Sequence, residues 1–160
     1  MPTPDRERFD LISSVQSFQT FIQREMDDAG VLLDLALPDG SAPIHVLGDR
    51  DQIRQALLNL ARNAREALRE EPEPRRLRLQ LRETAQGSIE IIFEDNGPGM
   101  DLSLVDQIFE PFVTTKEGGT GLGLVLTRQI AQAHGGSVHV EQRPDGQSGA
   151  RFILALPRVV

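Results

Sequence analysis

Apolar residues along this chain recur with helical period in three places and alternate in several others. Leu11, Val15, Phe18 and Ile22 fall on one face of a helix predicted over residues 10–29, and Gly30 follows as a stop. Val31 to Leu37 and Ile44 to Leu47 read as short strands on either side of the turn Pro38-Asp39-Gly40. A second helix, capped by Asp49 or Asp51, runs to about Glu70 with its apolar stripe at Ile53, Leu57, Leu60, Ala64 and Leu68. Glu70-Glu71-Pro72-Glu73-Pro74 breaks it. Leu77 to Arg82 alternates with period two, as a strand with one wet face does, whereas Ile89 to Phe93 is more continuously apolar and so predicts a central strand. Leu124, Leu126, Ile130 and Ala133 mark a third helix, and Ser137 to Gln142 and Arg151 to Leu156 form a last strand pair around Arg143-Pro144-Asp145-Gly146. The order predicts an α+β fold, a sheet covered on one face by helices. No internal repeat or linker divides it.

Composition narrows the function. A chain of 160 residues, 39% apolar and 26% charged, fits one soluble globular domain with a core of its own. No apolar run is long enough for a membrane span, and Met1 to Arg6 lacks the apolar segment of a signal peptide. The absence of cysteine removes disulfides and thiolate metal sites and is compatible with the cytoplasm. A net charge of −7 argues against non-specific nucleic-acid binding, and seven Phe without Tyr or Trp give no stacking platform for single strands. An anionic ligand would therefore be held by local features.

Four stretches carry candidate chemistry. Thr114 to Leu124 is polar, holds Lys116, and ends in Gly118, Gly119, Gly121 and Gly123 directly before the third helix. Glycines let backbone approach a ligand, and a helix start directs N–H groups and a positive dipole end at the same spot. That is a phosphate site in outline, though an ordinary loop has the same composition. Asn59 and Asn63 lie four apart on one helix face, as a pair of satisfied amides or with one amide oxygen as a hard ligand for Mg²⁺. Glu94-Asp95-Asn96-Gly97-Pro98-Gly99-Met100 is either a turn or a buried acceptor behind a thin backbone rim, suited to the exocyclic amine of adenine. Ile108-Phe109-Glu110-Pro111-Phe112 anchors the loop that follows.

The order N-L-x-x-N-A, D-x-G-x-G, F-x-P-F, G-T-G-L-G-L resembles the catalytic ATP-binding domain of bacterial sensor histidine kinases. These share a superfamily with gyrase and the heat-shock chaperone ATPases. The likeness covers residues 10–157, with residues 1–9 as a flexible tail, and Glu110 to Leu124 looks most like the nitrogen-regulation and dicarboxylate-sensor branch. The resemblance implies a two-layer sandwich of the Bergerat type, a mixed five-stranded sheet with helices on one face, using ATP and Mg²⁺. It implies Asn63 as the metal ligand and Asp95 as reader of the adenine amine, with Gly97, Gly99 and Met100 beside the base. Thr115, Lys116, Gly118, Gly119 and Thr120 would form the ATP lid, and Gly121, Leu122, Gly123 and Leu124 would offer N–H groups to the phosphates. Asn59 and Lys116 would serve the transfer step. In gyrase and chaperone relatives the position of Asn59 is a water-activating glutamate; an amide can only orient a water or a phosphate.

Two departures stand out. The last glycine box reads Gly149-Ala150-Arg151-Phe152, so the family's threonine hydroxyl is missing. None of His45, His134 and His139 matches the phosphoacceptor pattern; His134 ends a helix, where the dipole accounts for it. The resemblance thus implies a domain that acts on a dimerisation and phosphoacceptor domain outside residues 1–160, with a response regulator reached indirectly and no contact with nucleic acid or membrane. An anti-sigma-type serine kinase and a nucleotide-gated module without transfer remain the competing readings.

Overall fold

The computed structural model describes residues 2–40, 42–110 and 123–159. Strand β1 (Glu7–Asp10) leads into helix α1 (Leu11–Asp28), then β2 (Val31–Ala36), β3 (His45–Gly48), α2 (Arg50–Leu68), β4 (Arg75–Glu83) and β5 (Ser88–Asp95). A 3₁₀ turn and a one-turn helix α3 (Val105–Ile108) follow, and α4 (Gly123–Ala133), β6 (Ser137–Gln142) and β7 (Ala150–Pro157) complete the chain. The main sheet is five-stranded in the order β2-β4-β5-β7-β6, with β2 and β4 parallel and the other pairs antiparallel. The expected two-layer α+β sandwich with a mixed sheet is the observed fold, and β5 lies at its centre as its apolar run predicts.

The amino-terminal boundary differs from the sequence reading. Residues 7–9 are not tail: with Asp10 they pair antiparallel with β3 as a separate two-stranded sheet, and Phe9 packs against Val46 with both side chains buried. The stretch Ile44 to Leu47 therefore belongs to this small sheet and not to the main one. Residues nearer the start are also tied down. The Asp5 N–H donates to Asp49 Oδ2 at 2.9 Å, and Gln52 Nε2 donates to the Pro2 carbonyl at 3.0 Å. Four strand residues are too few to show a period, which is why this element is hidden in the pattern.

The inner face of the sheet follows from alternation. Leu77, Leu79 and Leu81 of β4, Ile89, Ile91 and Phe93 of β5, and Phe152, Leu154 and Leu156 of β7 are all buried beneath the helices. Asp10 caps α1 with Oδ1, which accepts the N–H groups of Ile12 and Ile44, so one carboxylate ends a strand and starts a helix. Burial pushes its pKa up, but the Ser13 hydroxyl and these backbone donors outweigh it and hold it below the ordinary value. Asp49 does the same for α2 with the N–H groups of Asp51 and Gln52. Between the two helices Glu25 accepts from Arg62 Nε and Nη2 and from Arg65 Nη1, and the Arg62 hydrogen bond lowers its pKa.

The outer face carries a row of alternating charge across all five strands. Asp34, Arg78, Glu94, Arg151 and Glu141 are successive cross-strand partners in register. Arg151 closes on Glu94 at 3.3 Å and on Glu141 at 3.2 Å. Each such pair adds only about 0.2–1 kcal/mol, against roughly 1.5–3 kcal/mol for each buried leucine or phenylalanine opposite. Stability therefore lives on the inner face. The charge row instead fixes register, since a one-residue slip would turn these charged side chains onto the buried face.

Candidate functional site

A cavity of about 420 Å³ opens between the carboxyl-terminal half of α2 and the ends of β5 and β7. Asn63, Glu66, Ala67 and Arg69 form its helical wall. Its floor is Asp95, the last residue of β5, which continues the inward series Ile89, Ile91, Phe93 and is 2% exposed. A carboxylate there needs donors. Its Oδ1 accepts the N–H of Gly97 at 2.9 Å and lies 3.4 Å from the N–H of Ala150.

The glycines around this aspartate are fixed by space. A Cβ on Gly97 would stand 3.0 Å from Asp95 Oδ1 and 3.3 Å from the Ala67 carbonyl. Gly149 is stricter: its φ is +131° and a Cβ would fall 2.0 Å from the Asp95 carbonyl oxygen. Ser148 Oγ donates to the Gly97 carbonyl at 2.7 Å, clamping the loop after β5 to the entry of β7. Gly99, with φ +78°, and Met100 line the rim. The sequence-predicted group Asp95, Gly97, Gly99 and Met100 thus converges on one cavity with Asn63.

Asn59 sits elsewhere. One turn before Asn63 on α2, its Nδ2 donates to the Gly123 carbonyl at 3.1 Å, while its Oδ1 accepts from Gln55 Nε2 at 2.9 Å. It faces the first turn of α4, where Gly123 is exposed and Leu124 is half-buried. Thr115, Lys116, Gly118, Gly119, Thr120, Gly121 and Leu122 lie outside the described residues, as do Pro111 and Phe112. Phe109 is buried, with the Arg128 guanidinium 5.9 Å from its ring centre. His134 has a fuller reason than the helix dipole: its ring is buried, Nδ1 lies 2.7 Å from the Ile130 carbonyl, and Nε2 accepts the Asp49 N–H at 3.0 Å. Ala67, Arg69 and Phe152 also line the cavity, and nothing in their sequence pattern sets them apart from other residues of a helix face or strand.

Comparison with known proteins settles the family. The model of the histidine kinase-, DNA gyrase B- and HSP90-like ATPases matches residues 48–160. The chain belongs to this family. Among curated relatives of this ATPase domain, the signal transduction histidine-protein kinase AtoS of Escherichia coli is 43% identical over 109 residues, covering 68% of this chain and 17% of that protein. The C4-dicarboxylate transport sensor protein DctB of Rhizobium meliloti is 39% identical over 75% of this chain and 18% of its own length. The alginate biosynthesis sensor protein KinB of Pseudomonas aeruginosa is 42% identical over 92% of this chain and 23% of its own length. The chain thus spans about a fifth of the length of these relatives. A nucleotide-free catalytic domain of the histidine kinase ThkA superposes with a TM-score of 0.81 at 28% identity, covering 96% of this chain and 98% of that one. The mycobacterial sensor histidine kinase MprB shares the fold, with a TM-score of 0.80 at 24% identity over 96% and 97% of the two chains. This is a histidine-kinase-type ATPase domain of two-component sensor kinases. Among the described residues no helix is long and apolar enough to cross a membrane.

Proposed function

We propose that the chain binds ATP with Mg²⁺ in the cavity between α2 and β5 and supplies the γ-phosphoryl group to a histidine on a dimerisation domain. A response regulator would receive it next, and the work would be done in the cytoplasm. The observation that carries this reading is the buried Asp95 carboxylate at the floor of a cavity whose wall holds Asn63. A carboxylate oxygen accepts a hydrogen bond from an adenine amine. Guanine presents a carbonyl at that position, acceptor against acceptor, so the floor selects adenine. Gly97 and Gly99 leave room for the base to approach.

Asn63 fits an ion that takes hard oxygen donors and keeps water and phosphate in its shell, because one protein oxygen then suffices. Asn63 would hold the Mg²⁺, which would supply positive charge to offset that of the phosphates. The rest falls to the chain. Asp95 orients the base and the start of α4 at Gly123 and Leu124 directs its N–H groups toward the phosphates, while the family resemblance assigns the lid role to Thr115, Lys116, Gly118, Gly119, Thr120, Gly121 and Leu122, outside the described residues. The histidine kinase ThkA has been solved in complex with the response regulator protein TrrA.

Calorimetric titration tests the binding half. ATP should bind at least about tenfold tighter than GTP, the factor that about 1.4 kcal/mol of hydrogen-bond mismatch gives, and Mg²⁺ should tighten ATP binding. Asn63→Ala should remove the Mg²⁺ effect and leave adenosine affinity unchanged. Equal affinity for ATP and GTP, or an undiminished Mg²⁺ effect in Asn63→Ala, would overturn the assignment.

A further inference from the structure

Asn59 and Asn63 look equivalent in sequence, yet the fold separates their tasks. Asn63 faces the cavity. Asn59, four residues earlier and so about 6 Å back along the helix axis, is turned toward α4. Its Nδ2 donates to the Gly123 carbonyl at 3.1 Å and lies 3.4 Å from Thr127 Oγ1. The Thr127 hydroxyl, fully buried, donates to the same Gly123 carbonyl at 2.9 Å. Asn59 Oδ1 is held by Gln55, which fixes the rotamer so that the amide N–H₂ must point at α4. Two side-chain donors, one from each helix, therefore meet on the carbonyl that opens α4.

The far end of α4 is fastened separately. His134 directly follows the helix, and its Nε2 accepts the N–H of Asp49, the residue that caps α2. The Ala133 carbonyl also accepts from Arg6 Nη2. Between these ends Ile130 and Ala131 are buried. With the carboxyl end of α4 anchored at the start of α2, the tie at Gly123 decides where its amino end lies relative to Asn63.

We infer that Asn59 is a positioning residue and not a ligand: it ties the first turn of α4 to the helix that carries Asn63, and so sets the distance between the metal-holding amide and the helix start that receives the phosphates. This rests on the Mg·ATP reading of the same site. It adds that phosphate affinity depends on a helix–helix tie made without any contact between Asn59 and the nucleotide. It also predicts that Thr127, which has no route to the ligand from its buried position, shares the role.

The test uses Asn59→Leu, which keeps the volume without the donor, and Thr127→Val, which removes only the hydroxyl. Without nucleotide, hydrogen exchange in peptides spanning residues 123–130 should quicken about fivefold in either variant, the factor that one net hydrogen bond is worth. In calorimetry both variants should bind the Mg²⁺ complex of a non-hydrolysable ATP analogue about tenfold more weakly, with adenosine affinity within about twofold of the parent chain, since a displaced helix start costs more than one exposed bond. The ratio of analogue affinities with and without Mg²⁺ should stay as in the parent, because Asn63 is untouched. The double variant should lose less than the two singles multiplied, as partners on one acceptor do. Unchanged exchange over residues 123–130 would overturn the tie. Loss of the Mg²⁺ ratio in Asn59→Leu with Thr127→Val normal would make Asn59 a direct ligand. If the parent chain binds no nucleotide at all, the Mg·ATP reading falls and takes the phosphate role with it, while the exchange result still shows whether the tie exists.

Discussion

Gly149 offers the sharpest physical prediction, because one methyl group tests both the fold and the site. Alanine there would place Cβ 2.0 Å from the Asp95 carbonyl oxygen and 2.9 Å from its carbon, in a backbone conformation of φ +131°. Carbon and oxygen do not approach within 3.0 Å in folded proteins, so more than 1 Å of separation must be found between the ends of β5 and β7. The φ value alone costs an L residue about 1–3 kcal/mol. Together with the forced displacement the loss should reach about 3 kcal/mol or more, within the range of single changes that have a named cause. Gly146 is the control. Its φ is +69° and nothing lies within 4 Å of a Cβ there, so Gly146→Ala should cost only about 1 kcal/mol. Urea unfolding followed by circular dichroism measures both. Because the displaced residue is Asp95, whatever folded Gly149→Ala remains should also bind ATP more weakly. A Gly149→Ala variant within about 1 kcal/mol of the Gly146→Ala variant would refute the packing argument.

Other expectations follow from single contacts. Asp95→Asn should keep the fold, since an amide oxygen can still accept from Gly97, but should cut the preference for ATP over GTP by about tenfold or more, read by competition binding. Glu25 has its pKa lowered from 4.5 by the Arg62 hydrogen bond, so it contributes stability above its unfolded pKa and loses it as pH falls through the lower folded value. Glu25→Gln should therefore be less stable than the parent at pH 7 and converge with it in acid, as urea midpoints across pH will show. Arg151→Glu would set three acids side by side in the outer row and should cost about 1–2 kcal/mol by thermal melting, with Glu94→Arg recovering part of it in the double variant. A double variant no more stable than Arg151→Glu alone would contradict the row.

What the sequence disclosed and what it hid divide along a physical line. The stripe Ile53, Leu57, Leu60, Ala64 and Leu68 is buried to 2% exposure or less, because a period of 3.6 held over about four turns lays these residues on one face. Asp95 was legible because a carboxylate at the end of an apolar strand beside two glycines is a costly choice without a ligand. Features that depend on remote pairing were not. The strand at Glu7–Asp10 is set by His45–Gly48, and the parallel pairing of β2 with β4 brings together segments more than forty residues apart. Asn59 shows the same limit inside the site: its spacing from Asn63 could not show that its amide is held by Gly123, 64 residues away. The requirement for glycine at position 149 likewise comes chiefly from the Asp95 backbone across the sheet.

The central proposal is that this domain donates a phosphoryl group and does not accept one. Among its own histidines, His134 is buried with both ring nitrogens engaged, and His45 and His139 lie in strands away from the cavity. The Asn59 amide has no basicity with which to activate a water. The direct measurement is incubation of the chain with Mg²⁺ and γ-labelled ATP, with and without an excess of the dimerisation domain of a sensor kinase whose phosphoacceptor histidine is intact. The account predicts no label on the chain, very slow release of free phosphate, and an acid-labile, base-stable phosphohistidine on the added domain. Label on His45, His134 or His139, or rapid ATP turnover by the chain alone, would contradict it.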